Sequence, residues 1–361
     1  MAYTNIDDPS AYFQAKVYTG TNATGNVITN DGNSDLQPDL IFASYRTLPP
    51  YTNHRCLIDS TRGRRGILEP DTTAAEVLSG VGPNDLESID TNGFTVGRVN
   101  STSSLNAGST STVAWQWKAN GGTTSSNTDG SITSTVQANQ DAGFSIITYT
   151  GNGTAGATFG HGLGVAPSMV IVKKRSATPL ADSWGVWHQG LTSAAYNLLL
   201  NTTAAESNSW NVWNSTEPTS SVITVSNDST GNYNGQPYIA YCFASKQGYS
   251  KFGSYVGNGN VNGAFVYTGF KPAFVMTKNT SATDSWVIMD EKRSPSNVAN
   301  KYLLANTSGA EGTNFDMFDF VSNGFKCRRA TSQNTSGNTF IYMAFAENPF
   351  TTSTGIPTTA R

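Results

Sequence analysis

Apolar and polar residues alternate over short stretches of this chain, and that two-residue period marks a strand with one buried face. Phe144-Ser145-Ile146-Ile147-Thr148-Tyr149 shows it. Other runs are continuously apolar and end in charge, as in Met169-Val170-Ile171-Val172-Lys173-Lys174. Such a run predicts a strand covered on both faces whose end reaches solvent. Between the runs stand tight-turn signals: Asn-Gly at 92–93, 234–235 and 323–324, and Gly-Asn-Gly at 151–153 and 257–259. Both residue types tolerate positive φ. The signals recur about every ten residues, the interval of a β-sandwich. Helix is minor. Single helical turns are predicted only at Thr72-Thr73-Ala74-Ala75-Glu76 and Thr202-Thr203-Ala204-Ala205-Glu206, from a Thr N-cap followed three residues later by Ala or Glu.

The same series of elements occurs three times. Each copy opens on a strand and a YTG-like turn: KVYTG at 16–20, ITYTG at 147–151 and GSYVG at 253–257. A Pro and an apolar strand follow, at Pro38, Pro167 and Pro272. The next segment ends in Asp59, His188 or Asp290, and a Leu-rich stretch leads into TTAAE, TTAAE and TSGAE. Each copy closes on a strand: VAWQWKA, IAYCFAS and YMAFAEN. From the Pro to the Glu of the AE motif is 38, 39 and 39 residues; to an Ala of the closing strand (Ala114, Ala240, Ala344) it is 76, 73 and 72. A unit of roughly 100 residues is long enough for its own core. The pattern therefore predicts an all-β chain of three tandem antiparallel β-sandwich domains, jelly-roll or lectin-like, at 1–118, 143–246 and 247–349. Residues 119–142, rich in Gly, Ser, Thr and Asn, read as a flexible linker or an extended arm, and 350–361 as a polar tail.

Composition narrows the function classes. Charged residues are 13% of 361, too few for coiled coils or long charged helices. Lys+Arg 22 against Asp+Glu 25 gives a net charge of −3, without the basic surplus of a nucleic-acid binder. No apolar run is long enough for membrane insertion, and the start MAYTNIDDPS lacks the features of a secretory signal. The odd set Cys56, Cys242 and Cys327 argues against a disulfide framework and fits synthesis in a reducing cytoplasm.

Candidate chemistry is sparse. His54, His161 and His188 have no metal-site spacing, and the run Phe159-Gly160-His161-Gly162-Leu163-Gly164 lacks the Lys and following helix of a phosphate loop. Asp59 with Glu76, or Asp290 with Glu311, could form the carboxylate pair of a glycosidase. The middle copy, however, has His188 where its siblings have Asp, which favours a turn or surface role. No catalytic residue, metal site or cofactor is assigned. Aromatic rings stack on sugars, and the middle copy concentrates Trp. Trp210 and Trp213 lack counterparts in the other copies. Trp184 aligns with Trp286 and Trp187 with Met289; in SWGVWH the two Trp face opposite sides, one to the core and one to the surface. Trp210, Trp213 and Trp187 are the candidate glycan contacts. Trp115 and Trp117 share one face and read as core. Arg62, Arg64 and Arg65 form a basic run expected only in copy one, a solvated loop or an interface to an acidic neighbour.

Taken together, NDGNSDLQPD at 30–39, DSTRG at 59–63, VAWQWKA, SSNTDGSITSTV at 125–136, GHGLGVAPSMVIVKKR at 160–175, PYIAYCFA, YSKFGSYVGNG and YMAFAENPF resemble a family of repetitive tail-fibre-like structural proteins of marine and cyanobacterial tailed bacteriophages. The resemblance covers nearly the whole chain. It implies a non-enzymatic virion protein assembled in the host cytoplasm and exposed on the particle, in the tail or a fibre, with host-surface glycan adhesion. The alternatives are a capsid decoration or head-fibre protein and a tail-associated glycan depolymerase. The implied partners are other virion proteins and host polysaccharide, with no nucleic acid and no membrane insertion. A homo-oligomer is expected, a trimer being common for fibres, unless three internal repeats give one chain its own pseudo-threefold symmetry.

Overall fold

Three inner sheets share one strand order, and together they set the architecture. In this computed structural model, residues 3–47, 54–79, 85–99, 105–179 and 182–358 are described. The first inner sheet runs Phe13–Thr19, Ser111–Trp117, Leu40–Tyr45, Cys56–Asp59. The second contains Phe144–Thr150, Pro237–Phe243, Met169–Lys174, Gly185–His188 and Leu198–Leu199 in the same order. The third contains Ser250–Val256, Thr339–Pro349, Phe270–Asn279, Val287–Asp290 and Leu303–Leu304. All these pairings are antiparallel. A smaller antiparallel sheet covers the outer face of each: Asn26–Thr29, Gly93–Val96 and Leu86–Asp90; Ala157–Gly160 and Val222–Val225; Phe265–Tyr267, Gly324–Cys327 and Phe318–Val321. The chain is thus nearly all-β, 41% strand and 3% helical, in several antiparallel sheets.

Pairing fixes which residues correspond. Leu40, Met169 and Phe274 each lie opposite Asp59, His188 and Asp290 on one side and Trp117, Phe243 and Phe345 on the other. The counterpart of Ala114 and Ala240 is therefore Tyr342 and not Ala344. A two-residue slip keeps every side chain on its face, so alternation cannot detect it.

Each inner sheet is buried on both faces, which its apolar strands require. The outer faces form three separate cores, around Phe94 and Ile58, around Phe159 and Trp213, and around Phe325 and Phe340. The inner faces meet in a single core drawn from all three repeats. At its centre the equivalent rings Trp117, Phe243 and Phe345 touch one another, with centroids 6.3, 6.1 and 5.6 Å apart. The repeats are arranged about a pseudo-threefold axis instead of lying in line as separate beads. The N-terminal segment ties onto the third repeat, where the Tyr3 hydroxyl donates to Gly269 O at 2.5 Å and the Thr4 hydroxyl to Gln247 O at 2.8 Å.

A second threefold landmark explains the YTG-like turns. Tyr18, Tyr149 and Tyr255 donate to the carbonyls of Leu105, Gly231 and Gln333 at 2.6, 2.6 and 2.7 Å. The next residue is in each case a buried Asn: Asn106, Asn232 or Asn334. Its carbonyl oxygen accepts from the backbone of Thr21, Asn152 or Asn258, and its amide donates to Ala23, Thr154 or Asn260. The Gly between Tyr and this turn is obligatory. A Cβ on Gly20, Gly151 or Gly257 would sit 2.1, 2.5 or 2.3 Å from a backbone carbonyl oxygen.

Three sequence expectations change. Of the two readings of residues 119–142, the structure has the extended arm and not the flexible linker. These residues form Ser125–Asn127 and Ser134–Asn139, which add to the second inner sheet beside Phe144–Thr150. Ile132 also bridges Phe159 of the outer sheet. The alternation Ile132, Ser134, Val136, Ala138 gives this arm a face to bury. The segments at 72–76 and 202–206 hold no helical turn. The N–H of Glu76 and Glu206 is committed to a carbonyl of the adjacent repeat, that of Arg175 and Thr280. In the tail, Thr351 bridges Pro357 in a turn, and 359–361 lie outside the described residues.

Candidate functional site: the seams between repeats

The AE motifs are clamps across the seams. Glu76, Glu206 and Glu311 donate their backbone N–H to Arg175, Thr280 and Arg46 of the neighbouring repeat at 2.9, 3.0 and 2.9 Å. A second set of hydrogen bonds crosses the same seams in the opposite direction, each repeat donating back to the one before it. The Trp184 indole donates to Glu69 O at 3.2 Å, Trp286 to Leu199 O at 3.0 Å and the Arg55 Nε to Leu304 O at 3.2 Å. Lys173 and Lys278 reach the carbonyls of Thr73 and Thr203. Burial pulls both ammonium groups down to about 8.

In each seam also sits the position occupied by Asp59, His188 or Asp290. Asp59 is held by Arg62 at 2.6 Å and accepts from the Tyr241 hydroxyl of repeat two at 2.7 Å. Arg62 bridges on to Glu76 at 2.5 Å, which Arg175 also holds. Asp290 is held by Arg293 at 2.5 Å and accepts from the Trp115 indole of repeat one at 2.9 Å; Arg293 and Arg46 both bind Glu311. The side chains of Asp59, Arg62, Asp290 and Arg293 are fully buried. Both suspected carboxylate pairs therefore have a guanidinium between their members, which occupies the place a sugar would need.

The third seam explains the exception. The counterpart of Tyr241 and Trp115 is Met343, which has no N–H or O–H to give a carboxylate. His188 stands there instead, 1% exposed. It pairs through Nε2 with Tyr342 O at 3.1 Å, and its Nδ1 accepts from Gly190 N at 3.0 Å. Burial lowers its pKa to about 4, so the ring is neutral and Nε2 carries the proton. The variation between copies follows the partner and does not mark a surface turn.

Beside each clamp lies a groove between the first inner strand of one repeat and the loop after the Asp/His position of its neighbour. The groove between repeats one and two is filled by the 119–139 arm. Gln137, fully buried, lies opposite Ile146 and donates to the hydroxyls of Ser60 and Thr61 at 2.9 and 2.8 Å. Its Oε1 accepts from Asn120 N and Gly122 N at 3.0 and 2.8 Å, and Asp39 accepts from Ala119, Gly121 and Gly122. The groove between repeats two and three is bounded by Ser168, Gln189, Ser245 and Ser250–Phe252. The groove between repeats three and one is a cleft of about 270 Å³ lined by Phe13, Gln14, Ala15, Asp31, Glu291 and Glu347. Burial, then Glu347, push the Glu291 carboxyl up to about 7, with Lys292 and Lys271 opposing.

The expected site residues are distributed as follows. Trp213 and Trp187 are 2% and 5% exposed and belong to the outer core of repeat two, so neither can stack on a sugar. Trp184 fills the shared inner core. The two indoles of SWGVWH do face opposite sides, but both sides are core because the sheet is covered twice. Trp210 is 46% exposed. Arg62 is not a solvated residue and is not unique to copy one, since Arg293 is its counterpart. Arg64 and Arg65 bind the carbonyls of Leu86 and Ser79. His161 is buried in its turn with Nε2 3.1 Å from Thr219 O, and His54 pairs with Asp71. All three cysteines are buried thiols. Among the described residues, no group of three or more His, Cys, Asp or Glu could hold a metal ion, and no helix is long and apolar enough to cross a membrane.

Sequence reasoning missed the seam network. Its signal was Asp-x-x-Arg at 59–62 and 290–293, each followed by an AE glutamate, at Glu76 and Glu311. It also missed Phe265 and Tyr267, both 49% exposed on one face of the outer edge strand of repeat three, with Lys251 5.1 Å above the Tyr267 ring.

No curated protein and no solved structure is similar enough to match. The profile described as Domain of unknown function (DUF7483) matches residues 8–349, across all three repeats, and the chain belongs to that family.

Proposed function

We propose that this protein is a structural component of a tailed-bacteriophage particle, exposed on the tail or a fibre, that adheres to host-surface glycan and catalyses no reaction. The observation that carries the reading is the disposition of side chains. The pairs Asp59/Glu76 and Asp290/Glu311 are locked by buried arginines at the seams, while the surface presents hydroxyls, amides and a few aromatic rings. The sequence resemblance supplies the phage setting, and the paired inner and outer sheets are compatible with lectin-like units. Glycan contact is assigned to Trp210 and to the Phe265/Tyr267 face, whose adjacent rings suit stacking on a sugar. These replace Trp213 and Trp187.

A second reading is favoured by one feature. A body with three similar sectors about an axis can sit on a capsid threefold position as a decoration protein, with one chain doing the work of a trimer. Mapping the protein in purified particles separates the two. Density at the tail or fibre is expected; density on the capsid faces selects the second reading, and absence from the particle rejects both. Host-cell binding is expected to weaken in Trp210→Ala and in Tyr267→Ala. Unchanged binding in the double variant rejects the aromatic assignment, and release of reducing sugar from host glycan rejects the non-enzymatic one.

A further inference from the structure

We propose that the cleft between repeats three and one is a docking site for an extended polypeptide strand from a partner protein, a strand of the chemistry of this chain's own residues 134–139. The inference does not depend on the particle reading.

The three grooves are positional equivalents with three different states. Ile146, Phe252 and Ala15 correspond, being opposite Tyr241, Met343 and Trp115. In the first groove Ile146 is paired with Gln137 of the added strand. In the second no strand is present, and two side chains take its place. Phe252 N donates to Ser245 Oγ at 3.3 Å, and Phe252 O accepts from Gln189 Nε2 at 2.6 Å. That groove therefore closes itself. In the third, the counterparts of Ser245 and Gln189 are Glu347 and Glu291.

Above about pH 7, where Glu291 is ionised, a carboxylate has no hydrogen to give a backbone carbonyl. Glu347 is ion-paired with Lys271 and Glu291 lies near Lys292. Neither hydrogen-bonds to Phe13–Thr19 among the described residues. The strand edge at Ala15 thus faces the cleft without the substitute that Phe252 has. Unpaired edges of this kind accept an incoming strand.

The walls also correspond. In the occupied groove the arm lies between the Gly162 turn and Ser60–Thr61. In the open one the walls are Asp31-Gly32-Asn33 and Glu291-Lys292. Their only bridge at the mouth among the described residues is the exposed Lys292–Asp31 pair at 3.3 Å, a weak closure that an entering strand can displace. Gln137 aims its amide at Ser60. The residue at that place in the partner strand faces Glu291, so a donor is required there, and a lysine suits it better than glutamine.

The test uses the full chain and synthetic peptides of residues 131–140, one native and one carrying Gln137→Lys, with hydrogen exchange read along the protein. Both peptides are expected to slow exchange at 13–19 with one bound per chain. The lysine peptide is expected to bind roughly tenfold more tightly, and to lose that advantage against Glu291→Gln protein. A lysine peptide N-methylated along its pairing edge is expected not to bind. Three results would each overturn the proposal: no protection at 13–19 at about 1 mM peptide, protection confined elsewhere, or equal binding of the N-methylated peptide.

Discussion

One residue position, occupied by Asp59, His188 and Asp290, shows how a repeat tolerates a change of charge in a sealed interior. A buried carboxylate is stable only with its hydrogen bonds and counter-charge supplied. Arg62 with Tyr241, and Arg293 with Trp115, supply both. Where Met343 removes the donor, a neutral imidazole bound to a carbonyl takes over. His188→Asp alone is therefore expected to lose about 3–5 kcal/mol in denaturant unfolding. Adding Leu191→Arg, three residues on as in the siblings, is expected to recover part of that loss. Acid should find the same site. The folded His188 titrates near 4, below its ordinary value because of burial, so the unfolded chain binds a proton first and stability falls as pH drops from about 6.5 towards 4.

Glu291 works in the opposite direction. Its folded carboxyl titrates near 7 against 4.5 unfolded, raised first by burial and then by Glu347 and Asp290, with Lys292 and Lys271 lowering it. Between those values the folded state holds a proton that the unfolded state lacks, so this group's contribution falls as pH rises through the window, by of order 3 kcal/mol at most. Unfolding curves for Glu291→Gln should lack that decline; an identical pH slope would contradict the assignment. Among the tryptophans, Trp213→Ala should cost about 3–5 kcal/mol as a core truncation, whereas Trp210→Ala should leave the melting temperature almost unchanged.

At the scale of the element, strand alternation made most of the fold legible, and the three copies could be aligned through their Pro, Asp/His and AE landmarks. The sequence left 119–142 open between linker and arm because its Ser, Thr, Gly and Asn content matches that of a linker. Its period-two face is only four residues long, and its binding partners, Asp39 and Ser60, lie in another repeat. The seam network was hidden for a related reason. Arg62 looks like one of three loop arginines until folding places Glu76 and Tyr241 around it, and no local pattern records contacts 14 or 179 residues away. The arm gives a direct check. Gln137→Ala takes the acceptor from Asn120 N and the donor from the Thr61 hydroxyl, while Gly122 N and the Ser60 hydroxyl keep Asp39, so a loss of about 1–3 kcal/mol is expected, with faster amide exchange over 134–139. Unchanged exchange there would show that Gln137 does not anchor the arm.

For the whole molecule, the inner face of each repeat is apolar because two other repeats cover it. Trp117, Phe243 and Phe345 meet on the axis, and every seam is clamped in the same rotational sense. A repeat on its own would expose Trp, Phe and Met to water, so the three should fold and unfold as one cooperative unit. The chain carries its own reporters of this, since Cys56, Cys242 and Cys327 are buried thiols at 0%, 0% and 1% exposure, one in each repeat. Pulsed thiol labelling through a denaturant series, read as intact mass, tests the claim most directly. A single pseudo-threefold body predicts only two populations, unlabelled and triply labelled chains, exchanging in one transition. A plateau of chains labelled at one or two cysteines would mean that the repeats unfold independently, and would contradict the shared core.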